Sequence, residues 1–564
     1  MENERYISYL NSLHNYSAQN SNAYGEKNVE NVFFQKVEVP SGVSKYIKEK
    51  LMHEEPHVLI LTGHAGDGKT SIMYQVLKEF DAKFDVESKM SEIVLPNGKT
   101  CCCVKDFSEL NDDQKKIELK KYMDYPADGK YVFMVSNTGP LINTFGKLFD
   151  EEQSEKAKVE LIEAMDKNTG EINEIGDYRI CIINVATIDN TGFVVEFVKN
   201  LIKDNLWGKC DLCEKKEYCH ILNNKKLIEK NQQRVFEFLK EHYIWLVEHG
   251  IRLTIRSMTE QLAYMITGGI QCEEVVQKDK NQLLFFNLFF GYIGLKNNRS
   301  ADTIVAIREA KKCRYDSKRM RADEKLMIDC DYSISFGTDM ENILVESQKK
   351  DGHISGWSEF VRRAYMFTNI ETDQKKKSED MEDIFSRQFE RYIKLRNGEI
   401  IPSKAEVSLI IDALSMVYMG KVSDNTKNGI SITLNKNSGL MQNVQLVMGE
   451  IPTRQMKLIQ EKTKDGIFDE KKERYVLKLC IDKKNIDVAI TLPMLDYFEE
   501  LRNGVIETNI DPQLSHGVES LKAQLTKQYK DEEENEIEII VMKNSENKNY
   551  QFEITSENKI IVNS

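Results

Sequence analysis

Apolar and polar positions along residues 57–206 follow a pattern that changes period several times. Short apolar runs typical of buried strands (HVLILT, CCCV, YVFMVS and RICIINVA) alternate with stretches in which apolar residues recur at helical spacing. Strands that alternate with helices form parallel sheets with helices on their faces. The pattern predicts an α/β core of this kind. The cysteine run at 101–103 is predicted to pack inside a strand, its side chains alternating between the two faces.

The segments on either side of this core have different patterns. Residues 1–56 predict a helical N-terminal segment. Residues 207–424 carry long helical periodicity with aromatic faces such as LLFFNLFFGYIG, which predicts a helical lid or bundle. Short strand-like runs separated by polar turns predict a β-rich C-terminal domain over 425–564. A chain of 564 residues is long enough for several domains of this size.

A complete G-x-x-x-x-G-K-[ST] motif, GHAGDGKT at 63–70, follows the first strand and precedes the helical stretch SIMYQVLKEF. Such a loop surrounds phosphates with backbone N–H groups, and the following helix dipole favours an anion. Lys69 is predicted to reach the β- and γ-phosphates, and the Thr70 hydroxyl to ligate Mg²⁺. The residues assigned to nucleotide binding are Gly63, His64, Ala65, Gly66, Asp67, Gly68, Lys69, Thr70 and Ser71. We therefore expect a P-loop NTPase fold that binds ATP; a chance match is the alternative.

Hydrolysis requires a carboxylate beside Mg²⁺ and a group that orients the attacking water. Asp106 follows the strand CCCV, and Glu109 lies one turn further on, so these acids are the best placed pair. Asp106 is assigned to Mg²⁺ together with Thr70. The alternative is that Asp106 only caps the next helix, where Asp is favoured anyway. Asp189, after RICIINVA, is the competing acid or a plain turn residue.

Two more polar residues complete the predicted catalytic set of Asp106, Glu109, Asn137 and Arg256. Asn137 ends the strand YVFMVS and is placed to touch the γ-phosphate or its water; a turn Asn before glycine is the alternative. Arg256 begins the helix predicted in LTIRSMTEQLAYMITGG and could reach a bound phosphate, or be a solvated or paired surface residue. Arg362 and Arg363 are candidates for a role in trans within an oligomer, or for salt-bridged structure.

The run KCDLCEKKEYCHI brings metal-ligating residue types close together. Cys210 and Cys213 have the C-x-x-C spacing that lets two thiolates bind one Zn²⁺. Cys219 supplies a third ligand and His220 a fourth, although adjacent residues rarely reach one ion, and a remote thiol such as Cys272 could replace the histidine. A closed structural zinc site is predicted. An iron–sulfur cluster and a set of free cysteines are the alternatives.

Composition bears on partners and location. A formal net charge of −13 argues against a protein that coats DNA non-specifically, but not against a local basic patch or a partner that carries the DNA contacts. The basic run KKCRYDSKRMR could touch phosphates, although such runs are more often solvated. No apolar stretch reaches bilayer length, and the polar start MENERYISYL lacks signal-peptide regions, so we expect a cytoplasmic protein with no membrane partner and reduced thiols.

The ordered set of phosphate loop, KDFSEL, MVSNTGPL, INVATID, cysteine cluster and LTIRSMTEQLAYMITGG resembles the DptF family of phosphorothioation-dependent DNA restriction proteins. The resemblance extends through FFNLFF and FVRRAYMF to about residue 420. It implies an ATPase subunit of a bacterial defence complex that acts with partner restriction proteins on DNA lacking the phosphorothioate mark. It also implies that Gly63 to Thr70 bind the nucleotide. His220 departs from the family pattern, in which proline often follows the third cysteine.

The sequence therefore favours an enzyme that hydrolyses ATP with Mg²⁺ and couples its nucleotide state to partner assembly or DNA recognition. DNA would be contacted through the complex, since no nuclease motif stands out in the chain. The alternative is a nucleotide-gated switch or scaffold, AAA- or STAND-like, of another defence system with little or no turnover. Either protein could be an oligomer.

Overall fold

The computed structural model describes residues 2–14, 31–82, 88–277, 280–420, 429–434, 443–463, 468, 474–505, 510–530, 536–543, 546–554 and 560–563. The chain forms two compact units. The first runs to Ile384, apart from Glu248–Gly250, and includes Phe468. The second is built from Glu248–Gly250, Phe385–Thr463 and Lys472–Ser564. The four segment boundaries expected from the sequence stay predictions.

The first unit contains a six-stranded sheet. In chain order the strands are β1 (Val58–Gly63), β2 (Met90–Val94), β3 (Thr100–Val104), β4 (Tyr131–Asn137), β5 (Ile172–Ile175) and β6 (Tyr178–Asn184). Their spatial order is β2-β3-β4-β1-β6-β5. The four central strands are parallel, whereas β2 and β5 pair antiparallel with β3 and β6. The predicted α/β class is confirmed, but the sheet is mixed, because a hairpin adds an antiparallel strand at each edge.

The register of the parallel strands brings their carboxyl ends together. Gly63 at the end of β1 pairs with Asn137 at the end of β4, and Thr62 pairs with Asn184 at the end of β6. Strand β4 lies between β1 and β3, so the segment after β3 is separated from the phosphate loop by one strand. The residues that follow these strands are therefore neighbours, as ligand-binding edges of parallel sheets require.

The four central strands are buried on both faces because they are apolar at successive positions. Cys101 and Cys103 contribute to one core together with Leu59, and Cys102 contributes to the other with Ile60. All three cysteines of the run are at most 1% exposed. The predicted packing role of this run is confirmed. Burial raises the pKa of the Cys102 thiol to about 12, so it behaves as an apolar side chain.

Helices cover the sheet and continue beyond it. Those before the cysteine cluster are α1 (Glu2–Ser12), α2 (Val32–Val37), α3 (Gly42–His53), α4 (Lys69–Glu79), α5 (Asp112–Asp124), α6 (Thr138–Gly146), α7 (Glu151–Lys167), α8 (Thr191–Leu201) and α9 (Asp204–Trp207). Helices α3 and α4 pack on the face that carries Cys101, and α5, α6 and α7 on the face that carries Cys102.

The following part of the first unit is helical, as its periodicity predicts. Its helices are α10 (His220–Lys230), α11 (Gln232–Glu248), α12 (Ile255–Thr267), α13 (Phe285–Phe289), α14 (Val305–Lys312), α15 (Thr338–Asp351), α16 (Trp357–Thr368) and α17 (Gln374–Ile384), with a short hairpin of β7 (Tyr292–Ile293) and β8 (Lys296–Asn297). Buried rings hold it together: Phe238 lies 4.5 Å from Phe367, and Phe289 lies 5.2 Å from Phe367, centroid to centroid.

The second unit combines helices with antiparallel sheets. Its elements are α18 (Phe389–Arg396), α19 (Lys404–Met419), β9 (Gly429–Thr433), β10 (Val444–Pro452), β11 (Met456–Lys462), β12 (Tyr475–Ile481), β13 (Lys484–Ala489), α20 (Leu492–Arg502), α21 (Pro512–Tyr529), β14 (Glu536–Lys543), β15 (Glu546–Ile554) and β16 (Ile560–Asn563). One sheet has the order β16-β15-β14-β10-β9 and the other β11-β12-β13. Across the described ranges of both units, every helix is too short or too polar to span a bilayer.

Candidate functional site

Glycines shape the loop between β1 and α4. Gly66 and Gly68 have φ angles of +90° and +82°, a backbone region that favours glycine. A Cβ added at Gly63 would lie 2.7 Å from Val185 Cγ2, so no side chain fits there. The first backbone bond of α4 runs from Ile72 N–H to the Gly68 carbonyl at 2.9 Å. The N–H groups of the helix's opening turn therefore have no helical acceptor and are available to an anion.

Lys69 is the central side chain of this loop. It is 8% exposed, and its Nζ donates to the carbonyl oxygens of Gly63 at 3.1 Å and His64 at 2.7 Å. It also donates to Asn137 Oδ1 at 3.0 Å. Burial lowers the pKa of Lys69, while the carboxylates of Asp67 and Asp106 oppose that shift. The ammonium thus joins the loop to the end of β4 and stands in the field of two acids.

A chain of hydrogen bonds extends from Asn137 to Asp106. The Asn137 backbone N–H donates to Ser108 Oγ at 2.8 Å, and Ser108 N–H donates to Asp106 Oδ1 at 2.8 Å. Asp106 thereby caps the short helix Phe107–Glu109, which is the structural role weighed against catalysis for this residue. The side chain of Glu109 lies outside the described residues. Lys69, Asn137 and Asp106 are brought together as predicted, and Ser108 is the connecting residue that the sequence did not reveal.

Asp189, the competing acid, is occupied in a local turn. Its Oδ1 accepts from Thr191 N–H at 2.8 Å, and its Oδ2 accepts from the Thr191 hydroxyl at 2.8 Å. Both oxygens therefore hold the start of α8. Asp106 is the acid whose charge acts on Lys69. The geometry favours Asp106 over Asp189 as the acid of this site.

Arg252 is a site residue that sequence reasoning missed. Its guanidinium donates to Asp67 Oδ1 at 2.9 Å and to the Val185 carbonyl at 2.8 Å. Asp67 also accepts from His64 N–H at 2.9 Å, and its side chain is fully buried. An acid inside a phosphate loop requires a cation, so the composition of the loop carried a signal. The partner could not be identified, because it lies 185 positions away.

The start of α12 lies directly against the loop. Arg256 N–H donates to the Gly66 carbonyl at 3.1 Å. A Cβ at Gly66 would lie 3.1 Å from Thr254 Oγ1 and 3.2 Å from Arg256 Cβ. Among the described residues, the Arg256 guanidinium has no hydrogen-bond acceptor. A cation in the first turn of a helix opposes the helix dipole, so a guanidinium at this position benefits from a bound anion.

Glu260 lies one turn after Arg256 and is 6% exposed. Burial raises the pKa of its carboxyl to about 7, and the Arg256 charge opposes the shift. A carboxyl that titrates near neutral pH close to a candidate phosphate site was not identifiable from sequence, because its burial depends on how α12 packs.

The predicted zinc ligands do not form the set expected. Cys210, Cys213 and Cys219 line one pocket, but His220 does not. His220 is fully buried, and its Nε2 lies 3.1 Å from the Thr267 carbonyl oxygen. Within the part of the chain that the structure describes, no three ligating side chains are arranged to hold a metal ion. The assignment of His220 to zinc is therefore corrected: the ring is part of the contact with α12.

Arg362 and Arg363 are engaged inside the unit. Arg363 is 1% exposed and donates to Asn287 Oδ1 at 2.8 Å and to Asp316 Oδ2 at 2.5 Å. Arg362 forms a two-point contact with Asp323, at 3.0 and 2.7 Å. These contacts support the salt-bridged alternative for both arginines.

Comparisons of the chain with protein-family models, with curated proteins and with solved structures give no match.

We expect Arg252→Ala to destabilise the first unit by about 2 kcal/mol, because it leaves a buried carboxylate with one partner fewer. Arg256→Ala removes a cation from the same segment but no hydrogen bond, so it serves as the matched control and should change stability little. Thermal unfolding and hydrogen exchange of the loop measure both. A double-mutant cycle of Arg252→Ala with Asp67→Asn should give a clear coupling energy. Equal losses of stability in Arg252→Ala and Arg256→Ala would show that the Asp67–Arg252 ion pair does not stabilise the unit.

Glu260→Gln is expected to have a pH-dependent effect on stability. The raised pKa of Glu260 means that its protonated form supports folding, and this contribution is lost as pH rises from 4.5 through about 7. The free energy of unfolding of the variant, relative to that of the wild type, should therefore rise by up to about 3 kcal/mol between pH 5 and pH 8. Unfolding midpoints at the two pH values test this. Glu163→Gln, on the exposed side of α7, is the control, and its stability relative to the wild type should not change between the two pH values.

Proposed function

We propose that this chain is a Mg²⁺-dependent ATPase that binds the triphosphate at residues 63–71. The observation that carries the proposal is the hydrogen-bond chain from the loop lysine to Asn137, Ser108 and Asp106, at the carboxyl ends of three adjacent strands. A motif match alone would not place an amide and an acid beside the lysine. This arrangement supports a P-loop NTPase fold.

The sheet topology supports the same location for the ligand. The chain passes from β1 to β3 and β4 on one side and then to β6 on the other, so β1 lies where the strand order reverses. Open α/β sheets bind ligands at the carboxyl ends of strands at such a point. Residues 63–71 follow β1 at that edge.

The loop suits phosphate in shape and in charge. Glycines 63 and 66 leave no room for a Cβ, so the backbone itself lines the cradle. Lys69, held by neutral carbonyl and amide oxygens, can exchange these weak acceptors for phosphate oxygens, with which a charge-assisted bond is stronger. Burial, which lowers the pKa of Lys69, makes an anionic partner still more favourable.

Thr70 and Asp106 are the side chains that would hold Mg²⁺, which when bound neutralises phosphate charge. Asp106 uses Oδ1 for its cap, and its Oδ2 accepts no hydrogen bond from any described residue. Thr70 is half-buried in the first turn of α4, next to Lys69. Asn137 is positioned by Ser108 to orient a water molecule, and Arg256 can balance negative charge from the α12 side.

The wider role rests on the resemblance to phosphorothioation-dependent restriction proteins. In that role the nucleotide state of the loop controls assembly with partner proteins on DNA. The Asp67–Arg252 ion pair supports such control, because it connects the loop to the helical part of the first unit. A nucleotide-gated scaffold with slow turnover would use the same contacts and would differ only in its rate of ATP hydrolysis.

The experiment is phosphate release from ATP with Mg²⁺, with and without DNA, for wild type, Lys69→Ala, Asp106→Asn and Asp189→Asn. Lys69→Ala should weaken binding of a fluorescent ATP analogue about 10- to 100-fold. Asp106→Asn preserves the cap acceptor and should retain binding, but lower the rate about 100-fold. Asp189→Asn is the matched control: Asp189 follows another parallel strand, both of its oxygens accept from Thr191, and the substitution should leave the rate unchanged.

Each result has a distinct meaning. Binding that depends on Lys69 without turnover in any condition would replace the ATPase with the nucleotide-gated scaffold. Equal losses in Asp106→Asn and Asp189→Asn would remove the assignment of Asp106. Absence of binding in the wild type would reject the proposed function altogether.

A further inference from the structure

Four cysteines from two separate parts of the chain line one pocket in the first unit. They are Cys210, Cys213, Cys219 and Cys272, and the pocket has a volume of about 40 Å³. Water-sized cavities need only about 10–15 Å³, so this space can accept an ion. The fourth cysteine comes from the segment after α12. No motif in the sequence links it to the other three.

The first three cysteines lie on a short turn and at the start of a helix. Cys210–Leu212 forms a short 3₁₀ turn, and Cys213 N–H donates to the Cys210 carbonyl at 3.2 Å. Cys219 caps α10, and its sulfur accepts from the N–H groups of Ile221 and Leu222. All three cysteines lie at the wall of the same pocket.

A lysine holds the fourth cysteine beside this turn. Lys215 Nζ donates to the carbonyl oxygens of Cys272 at 3.1 Å, Glu273 at 2.9 Å and Val275 at 3.4 Å. Three carbonyl contacts from one ammonium fix the two segments against each other. Lys215 and Lys216 also line the pocket. Their charges would offset the net negative charge of a divalent ion bound by four thiolates.

His220 is excluded from this pocket by its own contact. Its ring is fully buried and its Nε2 lies 3.1 Å from the Thr267 carbonyl oxygen at the end of α12. Of the adjacent residues Cys219 and His220, Cys219 lines the pocket and His220 does not. The fourth position of a tetrahedral site therefore falls to Cys272.

We infer that Cys210, Cys213, Cys219 and Cys272 form a structural Zn²⁺ site. Four soft thiolates are the ligand set of a structural zinc site. The pocket is suited to a single ion rather than to an iron–sulfur cluster, which adds sulfide atoms and more than one iron. No three of the thiols are arranged to hold an ion in the described residues, so binding requires their side chains to turn into the pocket.

Zinc at this position would cross-link two segments of the chain. It would join the turn before α10 to the 3₁₀ helix Cys272–Glu274, five residues beyond the end of α12. It would thereby fix the end of α12 opposite to the end that lies on the phosphate loop. This role is independent of whether the loop hydrolyses ATP.

The test is the metal content of the full-length chain, purified without chelator, by mass spectrometry of the metals. We expect one zinc per chain in the wild type and a loss of most of it in Cys272→Ser and Cys213→Ser. His220→Gln, whose amide can still donate to the Thr267 carbonyl, should retain zinc. Cys313→Ser, a half-buried cysteine outside the pocket, is the matched control and should retain it too.

A second measurement serves if the cysteine variants do not fold. Replacement of the metal by Co²⁺ in the wild type should give the intense visible bands and sulfur-to-cobalt charge transfer of a tetrahedral four-thiolate site. A spectrum with fewer thiolates and a nitrogen ligand, or zinc loss in His220→Gln with zinc retained in Cys272→Ser, would overturn the assignment of Cys272. A wild-type chain that binds neither ion, or that contains iron, would overturn the zinc site itself.

Discussion

The buried ammonium of Lys69 is the constraint on which the rest of the site depends. A charged amine that is only 8% exposed must have acceptors, and the chain supplies three oxygens from the loop and the end of β4. Asn137 can supply one only because β4 is the direct neighbour of β1 in the sheet. Its backbone then fixes Ser108, and through it Asp106. One buried charge thus organises the ends of three strands.

Much of this site could be predicted from the sequence because its residues follow apolar strands, and parallel strands end at one edge. Asp106 and Asn137 were found in that way, without knowledge of strand order. Arg252 was not, because an ion pair between a loop acid and a distant arginine leaves no local pattern. His220 was assigned wrongly for a related reason: spacing indicates which residues can approach one ion, whereas the packing of α12 decides which way the imidazole faces. The edge strand β5 was not recognised, since the four residues Ile172–Ile175 do not form a buried apolar run.

Helix α12 has one end at the loop after β1 and the other at the buried ring of His220. Its first turn touches the loop through Arg256 N–H and Gly66, and its last turn is held by His220 at the Thr267 carbonyl. A helix is stiff along its axis, so a displacement of the loop has to be taken up either by breaking these end contacts or by moving the helix as a body. Arg252, which pairs with Asp67 of the loop, lies three residues before this helix begins. In the proposed ATPase, this is the route by which a change at the phosphates reaches the helical part of the unit.

In the proposed ATPase, the cap that Asp106 forms is compatible with its assignment to Mg²⁺. Its cap uses one carboxylate oxygen and fixes the rotamer, so the second oxygen is held in one direction at no further entropic cost. A side chain free to rotate would have to be ordered each time a ligand bound. The same holds for Asn137, whose backbone is tied to Ser108 while its amide oxygen faces Lys69. Asp189 follows β6 instead, and each of its oxygens accepts a hydrogen bond from Thr191.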